Sequence, residues 1–411
     1  MTRPAHVPED LVVDFDTLGD LKIDEMHARA RGWRADKGSV VWTDHNGGYW
    51  VVLGAAEFRR GLIETETFNS ASRGIKLVDI EDREVLVPIE LDGPEHTQYR
   101  RVLNPFFAPR RMRVLEEQVR KVARDLLAGI APKGRCDVVT EYARPLASSM
   151  FLSLVDWPLE DREILERLVS LQVNGMPGKS PEENQRIQTD ALHELAAYCE
   201  RQITSRRENP RDDLTTQLIN ATVDGEPIPD SRLVAGIMPT LVAGGLDTTQ
   251  SVTSQTIRLF AEDPSRQDYL REDGTRLHGV VEEILRYAAP VGPLRAAIQD
   301  TELAGVSIKS GDRLHFMSQL ANRDPAEFDD PAELHLDRES NRHLSFGLGP
   351  HRCIGAALGR VVLAVAIEEF HLAIPTYHLV HSDSQLGAVW SMRSVIVEWD
   401  PDRSPSLTQT A

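Results

Sequence analysis

One cysteine in a glycine-rich segment is the residue of this sequence best placed for chemistry. Cys353 follows Gly347 and Gly349, which let the backbone turn tightly and approach a flat ligand closely. The residues after Cys353 have an amphipathic pattern, so the cysteine is predicted at a helix N-terminus, where the helix dipole and the neighbouring Arg352 favour a thiolate. Such a thiolate suits an axial iron ligand in a planar macrocycle. A buried structural cysteine is the alternative.

A second segment with chemical potential lies in a long predicted helix over 231–261. Gly244 and Gly245 are adjacent within it, at a cost of roughly 1 kcal/mol each relative to alanine, which suggests that another group passes close to the backbone. The nearby Asp247 and Thr248 supply a carboxylate and a hydroxyl, a pair suited to relaying protons. A crossing of two helices over small residues is the alternative.

Cationic side chains in two other segments could hold carboxylates. His96 and Arg100 are four residues apart in a predicted helix that Asp92 caps, so they share one face. An arginine can hold a carboxylate with two parallel hydrogen bonds, and Arg295 begins a predicted strand. A solvated helix face is the alternative for the first pair.

Composition excludes several classes of protein. The 411 residues carry a net charge of −18, the opposite sign to that expected of a non-specific nucleic-acid binder. The three cysteines, Cys136, Cys199 and Cys353, form no CxxC pair, which excludes a zinc knuckle and makes a disulfide framework unexpected. The N-terminus lacks a secretory signal pattern, and no apolar stretch reaches 18 residues. We therefore expect a cytoplasmic protein with no membrane segment.

The elements that must position these residues are mainly helical. Residues 39–54 read as a hairpin around Asn46-Gly47-Gly48, and Pro239 is expected to bend the long helix just before its glycines. The predicted fold class is mainly α with small β-sheets (α+β), in one domain over 36–403. Its parts are an irregular N-terminal arm at 1–35, a β-rich flank at 36–80 and 290–403, a helical core at 93–290, a ligand loop at 346–355 and a frayed tail at 404–411.

The segment 346–355 resembles the haem-binding signature of the cytochrome P450 superfamily, which has the form FGxGxHxCxG. Its fixed positions are filled by Phe346, Gly347, Gly349, His351, Cys353 and Gly355. The resemblance implies the cytochrome P450 fold and a haem b cofactor (iron protoporphyrin IX), with Cys353 as the proximal ligand of the iron and His351 against a propionate. The segment AGGLDTT at 243–249 resembles the family's distal helix, which implies that Asp247 and Thr248 deliver protons during oxygen activation.

The resemblance also implies roles for other residues. His96, Arg100 and Arg295 would bind the haem propionates, and a buried structural network would join Glu283, Arg286 and Arg338. The implied substrate pocket contains Ile89, Thr240, Ala243, Gly244, Val291 and Pro293, with Trp390 as a further candidate. Arg73 and Lys76, in the expected substrate loop at 72–88, would meet a substrate carboxylate or face solvent.

By resemblance, the activity is that of a haem-thiolate monooxygenase, an oxidoreductase of class EC 1.14. It would activate O₂ with two externally supplied electrons and hydroxylate a small or medium apolar substrate, terpenoid-like or aromatic-like. The electrons are expected from NAD(P)H through a ferredoxin with its reductase, or through a flavoprotein. Two alternatives remain: a peroxide-driven peroxygenase, a class that typically lacks the acid–alcohol pair, and a non-catalytic haem-thiolate sensor.

The segment 100–125 is locally basic, with eight Arg or Lys against three Asp or Glu. By resemblance, the face behind the cysteine receives the electron donor, and a basic patch there would steer an acidic partner. Arg101, Arg110 and Arg111 are therefore predicted to contact that partner, with a solvated surface as the alternative. The chain is expected to be a monomer without a nucleic-acid partner.

Overall fold

The computed structural model of the chain describes residues 3–71, 84–176 and 179–403. Helices surround a long central helix, and small sheets lie to one side, so the predicted fold class is confirmed. The α-helices are α1 (Ile23–Lys37), α2 (Ala55–Ile63), α3 (Gly93–Leu103), α4 (Pro109–Ile130), α5 (Arg144–Val155), α6 (Arg162–Asn174), α7 (Pro181–Glu208), α8 (Leu214–Ile219), α9 (Met238–Glu262), α10 (Pro264–Glu272), α11 (Leu277–Tyr287), α12 (Ser318–Ala321) and α13 (Ala356–Ala373).

Short strands form one larger sheet and three smaller ones within the described residues. The strands are β1 (Val40–Thr43), β2 (Tyr49–Val52), β3 (Phe68–Asn69), β4 (Arg135–Asp137), β5 (Thr222–Val223), β6 (Glu226–Pro227), β7 (Leu294–Ala297), β8 (Thr301–Leu303), β9 (Val306–Ile308), β10 (Arg313–Phe316), β11 (His378–Gln385) and β12 (Ser391–Glu398). The five-stranded sheet has the order β1-β2-β10-β7-β3, and the three-stranded sheet has the order β11-β12-β4. The pairs β5–β6 and β8–β9 are separate hairpins.

The five-stranded sheet positions one of the predicted anchors. β1 and β2 form the antiparallel hairpin that the Asn46-Gly47-Gly48 segment predicts, and Gly47 and Gly48 adopt the positive φ angles of 83° and 81° that favour glycine. β10 pairs parallel with β2 and antiparallel with β7, where Leu314 lies opposite Arg295. The side chain of Arg295 is thereby buried at a sheet position rather than carried on a loop.

The helical core is built around α9, which contacts α5, α6, α13 and β12. Ile257 and Phe260 of α9 are fully buried, as are Val362 and Phe370 of α13. Burying an apolar side chain of this size contributes roughly 1.5–3 kcal/mol, so this interior holds α9 and α13 in a fixed relation. Helix α9 carries the predicted proton-relay residues, and helix α13 follows the cysteine loop.

The prediction of an irregular segment over 1–35 is wrong for Ile23–Lys37, which form α1. Ile23, Met26 and Ala30 are buried on one face of this helix and join a core cluster with Phe15. This apolar stripe is narrow and is set among charged residues, so its helical spacing is easily missed. The proposed domain boundaries stay predictions, and residues 404–411 lie outside the described part of the chain.

The long helix predicted over 231–261 is continuous, but its hydrogen bonding changes along its length. Residues Arg232–Ile237 form a π-helical segment that leads directly into α9. Pro239 follows immediately and has no N–H to donate to the preceding turn. The π-helical turn ends just before Pro239, and the bend predicted at this proline stays a prediction.

Candidate active site

The cysteine loop, residues 346–355, has the backbone shape that its glycines predict. Gly347 and Gly349 adopt φ angles of 62° and 64°, and a Cβ atom at Gly349 would lie 2.6 Å from the carbonyl oxygen of Leu62. The N–H of Cys353 donates to the carbonyl of Phe346 at 2.8 Å, which closes the loop. Helix α13 begins at residue 356, shortly after the cysteine.

The surroundings of the Cys353 thiol oppose its ionisation in part. Part of Cys353 is exposed to solvent. Its sulfur atom is nevertheless surrounded by enough protein that burial raises the pKa of the thiol. The N–H of Gly355 and three arginines, Arg100, Arg352 and Arg360, oppose this rise without cancelling it. Arg352 and the backbone N–H at the helix end therefore favour the thiolate, as the sequence predicts, but burial outweighs them and the pKa of the thiol is raised. Coordination to a metal deprotonates a thiol outright, so a bound iron would stabilise the thiolate form that the protein alone does not favour.

Four side chains from distant parts of the sequence converge beside the cysteine loop; we call His96, Arg100, Arg295 and His351 the cationic cradle. The rings of His96 and His351 have centroids 4.1 Å apart. The charges of Arg100 and Arg295 both act on His96, which places the two guanidinium groups nearby. Helix α3, strand β7 and the cysteine loop thus bring together all four predicted propionate anchors.

Two members of the cradle have buried nitrogen atoms without hydrogen-bond partners among the described residues, namely His96 Nε2 and Arg295 Nε. Burial is the largest influence on both side chains and lowers the pKa of His96 to about 4 and that of Arg295 to about 10. A buried polar group left unpaired costs roughly 1–3 kcal/mol. Carboxylates are the acceptors that such donors bind most strongly, so the cradle fits the two propionates of a haem.

Asp92 supports the cradle in a way that the sequence does not reveal. It occupies the N-cap position of α3, but its side chain does not cap the helix. Instead it accepts the N–H groups of Ser70 and Ala71 at 2.5 and 2.8 Å and pairs with His351 Nε2 at 2.9 Å. Burial alone would raise the pKa of Asp92, but these hydrogen bonds outweigh burial and lower it. The capping role predicted for its side chain is therefore wrong.

The two adjacent glycines of α9 face different surroundings. A Cβ atom on Gly245 would lie 3.0 Å from the ring of Phe151 on α5, so this glycine serves a crossing of two helices. A Cβ atom on Gly244 would meet no described atom within 4 Å, and Gly244 is exposed. The alternative explanation by helix packing therefore accounts for one glycine, and the other leaves the surface of α9 open.

The acid and the alcohol of α9 point to different partners. The hydroxyl of Thr248 donates to the carbonyl of Gly244 at 2.8 Å. The carboxylate of Asp247 is buried and accepts hydrogen bonds from Asn174 at 3.5 Å and from Gln250 at 3.3 Å. Among the described contacts the two side chains do not bond to each other, so a proton passing between them requires an intervening carrier such as water.

Asp247 lies in the wall of a cleft of about 1230 Å³, formed by α6, α9 and the segment between β11 and β12. Asn174, Gln250 and Arg144 line the same cleft. Burial raises the pKa of Asp247 to about 6, opposed by the hydrogen bond from Asn174, the charge of Arg144 and the hydrogen bond from Gln250. None of the six predicted substrate-pocket residues lines this cleft, so it is a different space from the predicted pocket.

The predicted substrate-pocket residues are partly accessible. Thr240, Ala243, Val291 and Pro293 are half-buried, whereas Gly244 and Ile89 are exposed. Trp390 is 1% exposed and packs in the core against the ring of His27 at 5.4 Å, so its prediction as a pocket residue is wrong. The cations Arg73 and Lys76 lie outside the described residues.

Glu283, Arg286 and Arg338 form a buried ion network. Arg286 donates to both carboxylate oxygens of Glu283, at 2.7 and 2.8 Å, and Arg338 adds a third contact at 3.0 Å. The remaining donors of Arg286 reach backbone carbonyls, those of Asn322, Pro331 and Glu333. Both Glu283 and Arg286 are fully buried, so their charges are compensated within the chain.

Within the described chain, only part of the basic segment at 100–125 forms a basic surface without carboxylate partners. Towards its end, Arg120, Lys121 and Arg124 pair with carboxylates. The exposed arginines nearer its start have no carboxylate partner among the described residues; they are Arg101, Arg110, Arg111 and Arg113. We call these four residues the arginine face. It contains all three arginines predicted to contact an electron donor.

Comparison with known proteins decides what kind of site this is. The family model described as "Cytochrome P450" matches residues 172–376. A protein named "Probable cytochrome P450 127A1" from Sinorhizobium fredii (strain NBRC 101917 / NGR234) is 31% identical over 409 residues, which cover 96% of each chain. The chain belongs to the cytochrome P450 family. This P450 therefore has a haem cofactor, and its cationic cradle contains donors of the kind that haem propionates need.

Other relatives of this P450 agree with that assignment. A protein named "Steroid C26-monooxygenase" from Mycobacterium tuberculosis (strain ATCC 25618 / H37Rv) is 30% identical over 368 residues, 88% of this chain and 89% of that protein. The crystal structure of CYP101J2 has a TM-score of 0.85 at 28% identity and covers 97% of this chain and 100% of that one. A mutant of P450 EryK in complex with erythromycin B has a TM-score of 0.83 at 30% identity, with coverages of 95% and 100%.

These relatives establish the enzyme class. This P450 is a monooxygenase, an oxidoreductase, which confirms the class predicted from the sequence. Within its described residues, no helix is both long enough and apolar enough to cross a membrane.

Proposed function

We propose that this P450 hydroxylates a small or medium-sized apolar molecule on a haem held by Cys353 and the cationic cradle. The observation that carries this proposal is the pair of unpartnered buried donors, His96 Nε2 and Arg295 Nε, beside the cysteine loop. Groups of this kind are unfavourable until an anionic ligand meets them. Arg100 and His351 complete a set of donors for two carboxylates.

The bound haem supplies activation of O₂, which amino-acid side chains cannot perform. Cys353 would bind the iron of the haem, presented by a loop whose glycines allow the backbone to come close. Asp92 would hold His351 in place for a propionate through their 2.9 Å contact. These residues bind and orient the cofactor and take no part in proton transfer.

Proton supply is proposed for α9. Asp247, whose pKa is raised to about 6, both releases and accepts protons readily near neutral pH. Its place in the wall of the large cleft brings it close to solvent. The hydroxyl of Thr248, anchored on the carbonyl of Gly244 at 2.8 Å, would hold a proton ready for transfer on the open side of the helix.

The proposed substrate is apolar, terpenoid-like or aromatic-like, because the predicted pocket residues are mostly small and uncharged. They lie on α9 near Ala243 and Gly244 and on the segment before β7, at Val291 and Pro293. The name "Steroid C26-monooxygenase" borne by several relatives adds sterols to the classes worth testing.

Electrons are proposed to come from NAD(P)H through a ferredoxin with its reductase, or through a flavoprotein, bound at the arginine face. Exposed arginines without carboxylate partners attract an acidic protein and raise its rate of association at low ionic strength. Replacing Arg110 and Arg111 with Glu should slow reduction by such a donor at low salt, whereas reduction by dithionite should not change. Equal reduction rates for variant and wild type at low salt would contradict this docking site.

A carbon monoxide difference spectrum of the reduced holoprotein tests the haem–thiolate assignment. We expect the spectrum typical of thiolate-ligated haem from the wild type and its loss from Cys353→Ala. Cys136→Ala is the matched control, because that cysteine is buried away from the cysteine loop beside β12. If Cys353→Ala retains porphyrin with an unchanged Soret band, the assignment is wrong.

Turnover measurements separate the enzyme from its alternatives. We expect product with NAD(P)H and a ferredoxin system, and an apolar ligand should shift the haem from low to high spin. In Thr248→Ala the haem should stay bound while more of the electrons end in peroxide instead of product. Turnover with peroxide alone would favour a peroxygenase, and unchanged coupling in Thr248→Ala would contradict the proton relay.

A further inference from the structure

A second ion cluster lies behind the cysteine loop, between α11 and α13. Arg360 of α13 donates hydrogen bonds to both carboxylate oxygens of Glu282, from Nε to Oε1 at 2.6 Å and from Nη2 to Oε2 at 2.9 Å. His343 Nε2 lies 3.1 Å from the same carboxylate. Burial alone would raise the pKa of Glu282, but the hydrogen bonds from Arg360 and His343 outweigh burial and lower it to about 2. The guanidinium group of Arg360 therefore has a partner that stays ionised throughout the working pH range.

The cluster contacts the cysteine loop through Phe346. The Cζ atom of Arg360 lies 4.6 Å from the centroid of the Phe346 ring, a cation–π arrangement. Gly359 lies against the same ring, and a Cβ atom there would be 3.6 Å from it. The carbonyl of Phe346 accepts the N–H of Cys353 at 2.8 Å. One guanidinium group is thus fixed by a carboxylate and also by the residue that holds the cysteine backbone.

The contact of Arg360 with Phe346, whose carbonyl accepts the Cys353 N–H, places its charge beside the cysteine loop. Arg360 is one of three arginines that act on the Cys353 thiol. Of the other two, Arg100 belongs to the cationic cradle and Arg352 is exposed on the loop itself. Arg360 is the arginine of the three that is held both by an ion pair and by an aromatic ring, so the position of its charge is the best defined.

We propose that Arg360 is a positioning residue that holds a positive charge behind Cys353 and thereby makes the bound haem easier to reduce. A nearby cation draws electron density from the thiolate, which then donates less to the iron, and it favours the state that carries one more electron. The protein's control over haem potential includes such surroundings of the axial ligand. The proposal rests on the proposed function, because it requires Cys353 to bind the iron.

The test is the haem reduction potential of holoprotein variants, measured by spectroelectrochemical titration. Arg360→Gln should shift the potential to more negative values, and Arg360→Lys should retain most of the wild-type potential because it keeps the charge. Arg207→Gln is the matched control, since it makes the same change in net charge at an exposed arginine of α7 that pairs with Asp230. Its shift should be much smaller than that of Arg360→Gln.

Glu282→Gln gives a second route if Arg360→Gln does not retain haem. This variant keeps the cation and removes its neighbouring negative charge, so the potential should shift in the positive direction. Equal shifts for Arg360→Gln and Arg207→Gln, or no positive shift for Glu282→Gln, would overturn the proposal while the carbon monoxide spectrum still shows a thiolate ligand. Absence of that spectrum from the wild type would instead overturn the proposed function, and this proposal with it.

Discussion

The ion network around Glu283 and the cationic cradle around Arg295 are both buried, yet they treat their charges in opposite ways. Glu283 and Arg286 satisfy each other, and backbone carbonyls take up the remaining donors of Arg286. In the cradle, Arg295 Nε and His96 Nε2 have no partner among the described residues. The Glu283–Arg286 pair is thus satisfied by its own chain, whereas the unpartnered nitrogens beside the cysteine loop are open to a ligand.

The largest effect should come from breaking the Glu283–Arg286 ion pair. Glu283→Gln removes the charge that compensates the fully buried Arg286, which should lower the free energy of unfolding by about 3–5 kcal/mol. Urea unfolding of the holoprotein measures this loss. The exposed Glu163→Gln on α6 serves as the control and should change stability by less than about 0.5 kcal/mol. Similar stabilities for the two variants would remove the distinction between network and cradle.

Asp247 is an intermediate case, a buried carboxylate with only amide donors bonded to it. Its pKa rises on folding from 3.8 to about 6, so the folded state binds its proton more tightly than the unfolded state does. Stability contributed by the protonated form is therefore present below about pH 4 and is lost as the pH rises to about 6. Between these limits the wild type should lose about 2–3 kcal/mol relative to Asp247→Asn, because one pKa unit corresponds to about 1.4 kcal/mol.

Urea unfolding of both proteins across that pH range measures the difference. The control is Asp190→Asn on α7, an exposed carboxylate whose replacement should leave the pH dependence of the wild type unchanged. If the difference in unfolding free energy between wild type and Asp247→Asn does not change with pH, the pKa of Asp247 does not rise on folding and the prediction is wrong.

In the cradle, removing a donor should affect the ligand more than the fold. Arg295→Gln removes the donors proposed to bind a haem propionate. Hydrogen bonds of this kind are worth about 1.5–3 kcal/mol, which corresponds to roughly 10- to 100-fold weaker haem retention. The unfolding free energy of the chain without haem should fall little or rise, since an unpaired buried charge is removed. Haem transfer to an acceptor globin and urea unfolding measure the two quantities. Arg393→Gln, an exposed arginine of β12, should alter neither.

The smallest effects should separate the two glycines of α9. Gly244→Ala meets open space and should stabilise the helix by up to about 1 kcal/mol, the difference in helix propensity. Gly245→Ala places a methyl group 3.0 Å from Phe151, so packing strain should offset that gain. Thermal unfolding of the two variants without haem compares their stabilities. Equal stabilisation would show that the α5 crossing does not need a glycine.

Local sequence patterns predicted the parts of this molecule that depend on near neighbours. The hairpin around Asn46 and the turns at Gly347 and Gly349 follow from local spacing and backbone preference. The convergence of the cradle came from resemblance, because His96 and His351 lie on segments far apart in the chain.

Contacts between distant segments were missed or misjudged for the same physical reason. Asp92 has the sequence of a helix cap, but Ser70, Ala71 and His351 compete successfully for its oxygens. Burial of the Cys353 thiol outweighs the helix end and the arginines, and no local pattern reveals that balance. Likewise, α1 is stabilised by a narrow apolar stripe, and its packing partners come from distant parts of the chain.

The 2.9 Å contact between Asp92 and His351 spans 259 positions of the chain. A ribosome therefore releases Asp92 long before His351 is synthesised, and the cysteine proposed to bind the iron follows two positions later still. A nascent chain therefore cannot bind haem at this site until synthesis is nearly complete, so haem binding is a late step in maturation. A truncation that stops short of the cysteine loop would lack both the proposed iron ligand and α13, which packs against α4 and α9 in the core.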